Sequence, residues 1–273
     1  MVRVAVIGAG YLGRFHIEKF KKINSANLVC VCEVDKKIAQ SISKDFDVPI
    51  VSDYKSLAGK VDAVSIVTPT TDNIESARKL LKKRKKGLVV QIGYIERYNP
   101  AFKILKENLS NPKTIIFKRK APFSLRGSDV DVIFDLMIHD IDLAFNIFES
   151  KPKILNVVGK SIFSNFNDIV YSVFNFGDTL AIFEISRVSD IKERKITALT
   201  DDIFIESDLI NQSCRIIKKK EEKVISEEKK DILLEELSDF INAIEKGKNP
   251  KVTLEDGIES LDFARKILER IRK

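Results

Sequence analysis

A short apolar run, Val2-Arg3-Val4-Ala5-Val6-Ile7, leads straight into Gly8-Ala9-Gly10-Tyr11-Leu12-Gly13. A stretch follows with Phe15, Ile17, Phe20 and Ile23 at mixed three- and four-residue spacings, as a helix requires. A G-x-G-x-x-G pattern alone is weak, but here it follows a strand and opens a helix. Glu33, an acid at the end of the next apolar run, lies 20 residues after Gly13. The glycines permit a tight turn, close approach of a pyrophosphate, and close packing of helix on strand. The helix start offers free N–H groups and a partial positive charge to phosphates. Gly8, Gly10, Tyr11, Leu12 and Gly13 are therefore expected to hold a dinucleotide, with Glu33 accepting hydrogen bonds from the adenosine ribose. A carboxylate there repels a 2′-phosphate, which favours NAD over NADP as cofactor.

The alternation continues with a strand to Glu33, a helix over 36–46, a short strand near Ile50-Val51, and Ala63-Val64-Ser65-Ile66-Val67. The last is the continuous apolar type buried on both faces of a parallel sheet. Thr68, Pro69 and Thr70 fall just after it, at the carboxyl edge where a nicotinamide would lie. A helix over 74–86 and a strand over 88–92 are predicted to complete a doubly wound Rossmann domain.

After Pro100 the rhythm changes. One helix, a strand over 114–120 and a second helix precede β-rich runs at 154–161, 169–176, 179–188, 195–199 and 203–205, and Gly177-Asp178 marks a hairpin. Helices over 232–246 and 254–271 close the chain, with Gly247 and Thr253 placed as caps. The fold class expected is α/β: an N-terminal NAD-binding domain over 1–97, and an α+β domain over 98–273 built on an open antiparallel sheet. The C-terminal helix is expected to pack back on the first domain.

The formal charge of +7 gathers in the runs Lys82–Lys86 and Lys218–Lys220. Without interleaved aromatics or a reading module these imply solvated surface rather than a nucleic-acid site. Cys30, Cys32 and Cys214 make neither a disulfide framework nor a zinc site, so they read as buried thiols, and no metal is expected. No apolar run is long enough to span a bilayer, and no signal peptide is evident, so a cytoplasmic location is expected.

There are two histidines. His16, on the first helix, reads as a packing or surface residue. His139 stands four residues after Asp135 in Asp135-Leu136-Met137-Ile138-His139-Asp140-Ile141-Asp142-Leu143, a spacing that puts both on one helical face. A carboxylate beside an imidazole suits a general acid/base.

Taken together, Gly8–Gly13, Glu33-Val34-Asp35, Ser65 to Thr70, Gly93-Tyr94-Ile95-Glu96-Arg97-Tyr98-Asn99-Pro100 and Asp135–Leu143 resemble the glucose–fructose oxidoreductase/inositol dehydrogenase family. So do the closing Asp239–Ile244 and Asp256-Gly257. Phe123-Ser124-Leu125-Arg126-Gly127 resembles the UDP-N-acetylglucosamine 3-dehydrogenase branch. The resemblance implies NAD-dependent hydride transfer at a sugar carbinol carbon, and a homo-oligomer through the antiparallel sheet. It makes His139 the acid/base and Asp135 its orienting or sugar-contacting partner. It puts Asp35 at the cofactor, and Glu96, Arg97, Asn99, Arg126 and Asp142 at the substrate. One departure stands out: the family's Glu-Lys-Pro strand end, whose lysine contributes to catalysis, is absent. A natural deletion, an omitted segment, or substitution by one of Lys82–Lys86 each account for it, and the third is disfavoured by its position at a helix end. The alternatives to a dehydrogenase are a non-catalytic NAD or nucleotide-sugar binder and an NAD-dependent glycosidase.

Overall fold

The computed structural model describes residues 1–68 and 89–272 and divides the chain into two compact units. Unit 1 comprises Met1–Gln91 and Asp231–Thr253; unit 2 comprises Ile92–Lys230 and Leu254–Lys273. The first break therefore falls at 91 rather than 97, and the chain returns to unit 1 for one late helix. Pro69, Thr70, the first residue of the predicted fifth strand (Leu88), the helix over 74–86 and Lys82–Lys86 lie outside the described residues.

In unit 1, β1 (Val2–Ile7), β2 (Ala26–Cys32), β3 (Ile50–Val51) and β4 (Ala63–Ile66) form a parallel sheet of order β3-β2-β1-β4. Val4, Ala5 and Val6 on the central strand are fully buried, as a strand covered on both faces must be. One face packs Ile17 and Phe20 of α1 (Tyr11–Lys22), with Ile42 of α2 (Lys36–Phe46) in the same core. On the other face, Ala5, Cys30, Cys32 and Leu57 cluster, so both thiols are buried hydrophobes. The described end of the predicted fifth strand differs from expectation: Val89 and Val90 are outside any strand, and Gln91 makes one isolated antiparallel bridge to Thr253. The Gln91 amide is instead buried against the returning helix, donating to the Glu236 carbonyl at 2.9 Å.

Unit 2 begins with α3 (Pro100–Asn108) and β5 (Thr114–Lys120), followed by α4 (Ile138–Ile147). Then come β6 (Lys153–Lys160), β7 (Ile169–Phe176), β8 (Thr179–Ser186), β9 (Glu193–Leu199), β10 (Ile203–Asp208), β11 (Ser213–Lys218) and β12 (Glu221–Ser226). The helices α5 (Ile232–Lys246), which belongs to unit 1, and α6 (Leu254–Ile271), which belongs to unit 2, end the chain. The sheet of unit 2 has order β12-β11-β10-β9-β5-β8-β7-β6, with every neighbouring pair antiparallel except β5–β8. Its inward face, including Phe117, Phe174 and Phe183, packs on α3, α4 and Phe263 of α6. Period-two alternation explains the burial: in β5, Ile115, Phe117 and Arg119 point inward. Strands β11 and β12 escaped the sequence reading because Lys218-Lys219-Lys220 looks like plain surface. Lys219 and Lys220 both take positive φ (49° and 70°) and form the turn of this hairpin. Mostly exposed and charged, β12 blunts the sheet edge.

Candidate active site

The glycine loop has three different constraints. Gly8 has φ +89°, and a Cβ there would lie 2.7 Å from the Val67 carbonyl oxygen. A Cβ on Gly13 would come within 2.1 Å of the Gly8 carbonyl oxygen, so only glycine lets α1 start this close to β1. Around Gly10 a Cβ would meet nothing within 4 Å, which leaves open room at the helix start. Gly10 is also the N-cap of α1 and supplies no side-chain cap. Glu33 closes the arrangement: its carboxylate accepts the Ala9 N–H at 2.8 Å and the Asp35 N–H at 2.9 Å. Two of about four acceptor positions are thus used to fix the carboxylate, and the others suit a ribose diol. A helix start with open room at Gly10 beside a fixed acid fits a dinucleotide.

Tyr11 and Leu12 are exposed on the first turn of α1, and the Thr68 methyl lies near Gly8. Asp35 has a structural task, capping α2 through hydrogen bonds from the Lys37 and Ile38 N–H groups. His16 packs with Nδ1 at 2.9 Å from the Ser65 hydroxyl, and burial pushes its pKa down to about 4.

These contacts predict a split between two alanine substitutions. Gly13→Ala drives a methyl into backbone, and is expected to abolish NAD binding and lower the unfolding temperature by several degrees. Gly10→Ala is expected to fold as the wild type does but to bind NAD at least about tenfold more weakly, the methyl taking the pyrophosphate's space. Calorimetric titration with NAD beside thermal unfolding checks both. Equal losses of stability would be the wrong pattern.

In unit 2, His139 is the second residue of α4, directly after a π-helical turn over Ile133–Met137. Such turns are frequent at functional sites. Tyr94 meets the imidazole edge-to-face, with ring centroids 5.7 Å apart. Nδ1 is sealed from solvent and has no hydrogen-bond partner among the described residues. Burial, then the charges of Arg119 and Arg194, push the His139 pKa down to about 3, so the ring is neutral at physiological pH.

The structure does not join Asp135 to His139 as their spacing led us to expect. The Asp135 carboxylate lies against Gly127, with Arg187 Nη1 at 3.9 Å from its Oδ2. Burial raises the Asp135 pKa, while Arg187 and Arg126 oppose that rise.

The reading of Glu96, Arg97, Asn99 and Asp142 as direct substrate contacts is corrected by their surroundings. All four are at most 5% exposed and bonded within unit 2. Arg97 grips Asp142 through two bonds of 2.8 and 2.6 Å. Glu96 meets Arg194 at 2.9 Å and Arg119 at 3.6 Å, and Arg119 holds Asp140 through two bonds of 2.8 Å. Asn99 caps α3 and bonds Glu96. The physical reason is that buried charges must be paired, and these residues pair with each other beneath α4. Breaking such a pair by removing one partner costs about 3–5 kcal/mol. Arg126, by contrast, is exposed on the loop before Asp135. Arg119, Asp140, Arg187 and Asp168 were missed in the sequence, although period-two alternation after Phe117 and Ile185 turns both arginines inward.

Residues 2–91 match the model of an oxidoreductase family described as having an NAD-binding Rossmann fold. A UDP-N-acetylglucosamine 3-dehydrogenase from Acidithiobacillus ferrooxidans is 29% identical over 280 aligned positions, covering 89% of this chain and 88% of that protein. A solved structure of that enzyme superposes with a TM-score of 0.90 at 27% identity, covering 99% of this chain and 97% of the other. An inositol 2-dehydrogenase/D-chiro-inositol 3-dehydrogenase from Lacticaseibacillus casei is 27% identical over 183 positions, about half of each chain. The 280 positions exceed the 273 residues of this chain, so the Acidithiobacillus enzyme carries residues with no counterpart here.

Proposed function

We propose that this chain, whose residues 2–91 match the oxidoreductase family with an NAD-binding Rossmann fold, is a member of that family and oxidises a sugar hydroxyl to a ketone, at C3 of a UDP-N-acetylhexosamine. The observation that carries the reading is His139, a neutral imidazole at the start of α4 whose Nδ1 is sealed from solvent. NAD, when bound, supplies the hydride acceptor. The glycine loop and Glu33 bind and orient the dinucleotide through the helix start and the ribose diol. His139 accepts the hydroxyl proton at Nε2 as the C–H bond gives up its hydride. The nearby Arg119 and Arg194 disfavour the imidazolium, so the proton leaves Nε2 for solvent water once the hydride has moved. Asp135 contacts the sugar, and Arg126 is suited to pair with a diphosphate. Asp142 and its neighbours hold α4 in place.

The second reading, an NAD or nucleotide-sugar binder without turnover, is favoured by one observation, the absent Glu-Lys-Pro lysine. Absorbance at 340 nm with UDP-N-acetylglucosamine and NAD separates the two. NADH formation is expected. A thermal shift with NAD but no NADH would turn the assignment to the binder, and free sugar without net NADH would turn it to a glycosidase.

The remaining expectations are consistent with this reading. Among the described residues no helix is long and apolar enough to cross a membrane. The outward face of the unit 2 sheet carries Tyr171 at 48% exposure and Leu199 at 39%. It is the surface through which a homo-oligomer would form.

A further inference from the structure

The least expected group in unit 2 is Arg187, directly after β8 and only 3% exposed. Its Nε donates to Asp168 Oδ1 at 2.8 Å, and Nη2 to the Ser164 hydroxyl at 2.9 Å. Nη1 donates to two backbone carbonyls, Gly127 at 2.6 Å and Val130 at 2.8 Å. Asp168, itself fully buried, is tied down in turn. It accepts the N–H groups of Ile162, Phe163 and Ser164 at 2.7–3.0 Å, and the Ser164 hydroxyl at 2.7 Å. Although burial works against its charge, these bonds and Arg187 hold the Asp168 carboxyl well below the usual carboxylate range. The guanidinium is therefore a fixed fork, and its far end holds the loop between β5 and the π turn.

That loop bears directly on Asp135. Gly127 takes φ +79°, and a Cβ there would lie 2.7–2.8 Å from all three atoms of the Asp135 carboxylate. The carboxylate rests on the bare Cα of the residue whose carbonyl Arg187 grips, with the same Nη1 3.9 Å away. We propose that Arg187 is a positioning residue of the substrate end, acting with Gly127 to fix the 124–131 loop and hold the Asp135 carboxylate in place. The inference rests on the dehydrogenase reading for the job Asp135 does, but not for the contacts themselves. The charged groups that face Asp135 are Arg187, Arg126, Asp129 and Arg119. Of these, Arg187 reaches both the carboxylate and the loop beneath it.

The test is a carboxyl ¹³C NMR titration of Asp135 in the full chain, which needs no turnover, with kcat/KM for UDP-N-acetylglucosamine measured alongside. In Arg187→Gln the Asp135 midpoint should rise by about one pH unit or more, because a positive neighbour is lost. Arg187→Lys keeps the charge and should restore the midpoint to within about half a unit, yet raise KM several-fold because lysine lacks the fork. A folded Arg187→Gln protein with the wild-type midpoint overturns the proposal. Should Arg187→Gln not fold, Gly127→Ala gives the answer without removing a charge. Its methyl displaces the carboxylate, so the midpoint must move and kcat/KM fall at least tenfold; an unmoved midpoint overturns the proposal equally. A shifted midpoint in a chain that makes no NADH upholds Arg187 as the positioning residue and counts against the dehydrogenase reading alone.

Discussion

Replacing His139 by alanine is expected to lower kcat by about 10²–10⁴-fold and to leave NAD affinity unchanged. The size follows from what general acid/base groups contribute. The selectivity follows from location: the glycine loop and Glu33 belong to unit 1, His139 to unit 2. The pH dependence makes the test sharper. Burial, with Arg119 and Arg194, holds the imidazole near a pKa of about 3, so His139 stays neutral far below its ordinary titration range. Its protonation therefore contributes no acid limb near pH 6.5. Whatever limb appears in kcat/KM belongs elsewhere, and Asp135, raised by burial, is the group to examine through Asp135→Asn. Stopped-flow NADH formation from pH 5 to 9 in the wild type and both variants checks this. Retention of kcat within threefold in His139→Ala, or a wild-type limb at 6.5 that His139→Ala removes, would sink the assignment.

How much of this was legible beforehand depends on how local the signal is. The Rossmann half could be read because strand, glycine spacing and acid sit within one stretch of sequence, each with its own physical reason. The inward arginines were half legible. Ile115-x-Phe117-x-Arg119 and Phe183-x-Ile185-x-Arg187 continue an apolar alternation into a cation, and an inward cation demands a buried acid. Which acid answers it, Asp140 for Arg119 and Asp168 for Arg187, depends on sheet order, with β5 beside β8 and both far apart in sequence. The same gap explains Asp135 and His139. Four-residue spacing promised a pair, but the turn carrying Asp135 is π-helical, and tertiary partners claim each residue separately: Gly127 and Arg187 for one, Tyr94 for the other. Glu96, Arg97 and Asn99 could be recognised as a motif, yet not as interior residues, because three polar groups in four positions carry no apolar period.

Unit 1 should lose stability as the pH rises from about 4 to about 8, and Glu236→Gln should restore it. Glu236 lies on α5, 4% exposed, and its Oε2 has no hydrogen-bond partner among the described residues. Gln91 donates to its Oε1 at 3.4 Å, a weak contact. Burial pushes the carboxyl pKa up to about 8, and the nearby Asp239 adds to the rise against the Gln91 bond. The folded state thus binds a proton at Glu236 more tightly than the unfolded chain, where an ordinary glutamate titrates near 4.3. The stabilisation is complete below that value, declines as the pH climbs, and is gone once it passes the folded value of about 8. At pH 9 the buried charge would cost on the order of 3–5 kcal/mol relative to acid conditions. Glutamine keeps the shape and never ionises, so the variant should unfold at a temperature several degrees above the wild type at pH 9 and match it near pH 4. Thermal unfolding across pH 4–10 decides the matter, because parallel curves for the two proteins would mean that Glu236 is already charged or already satisfied. The position gives the effect a functional reach. Gln91 bonds the Glu236 backbone and bridges to Thr253, and it is the last residue before the chain leaves unit 1. Ionising Glu236 loosens that anchor within the unit that carries the glycine loop, so NAD affinity should weaken as the pH passes the folded value of about 8 and recover in the glutamine variant.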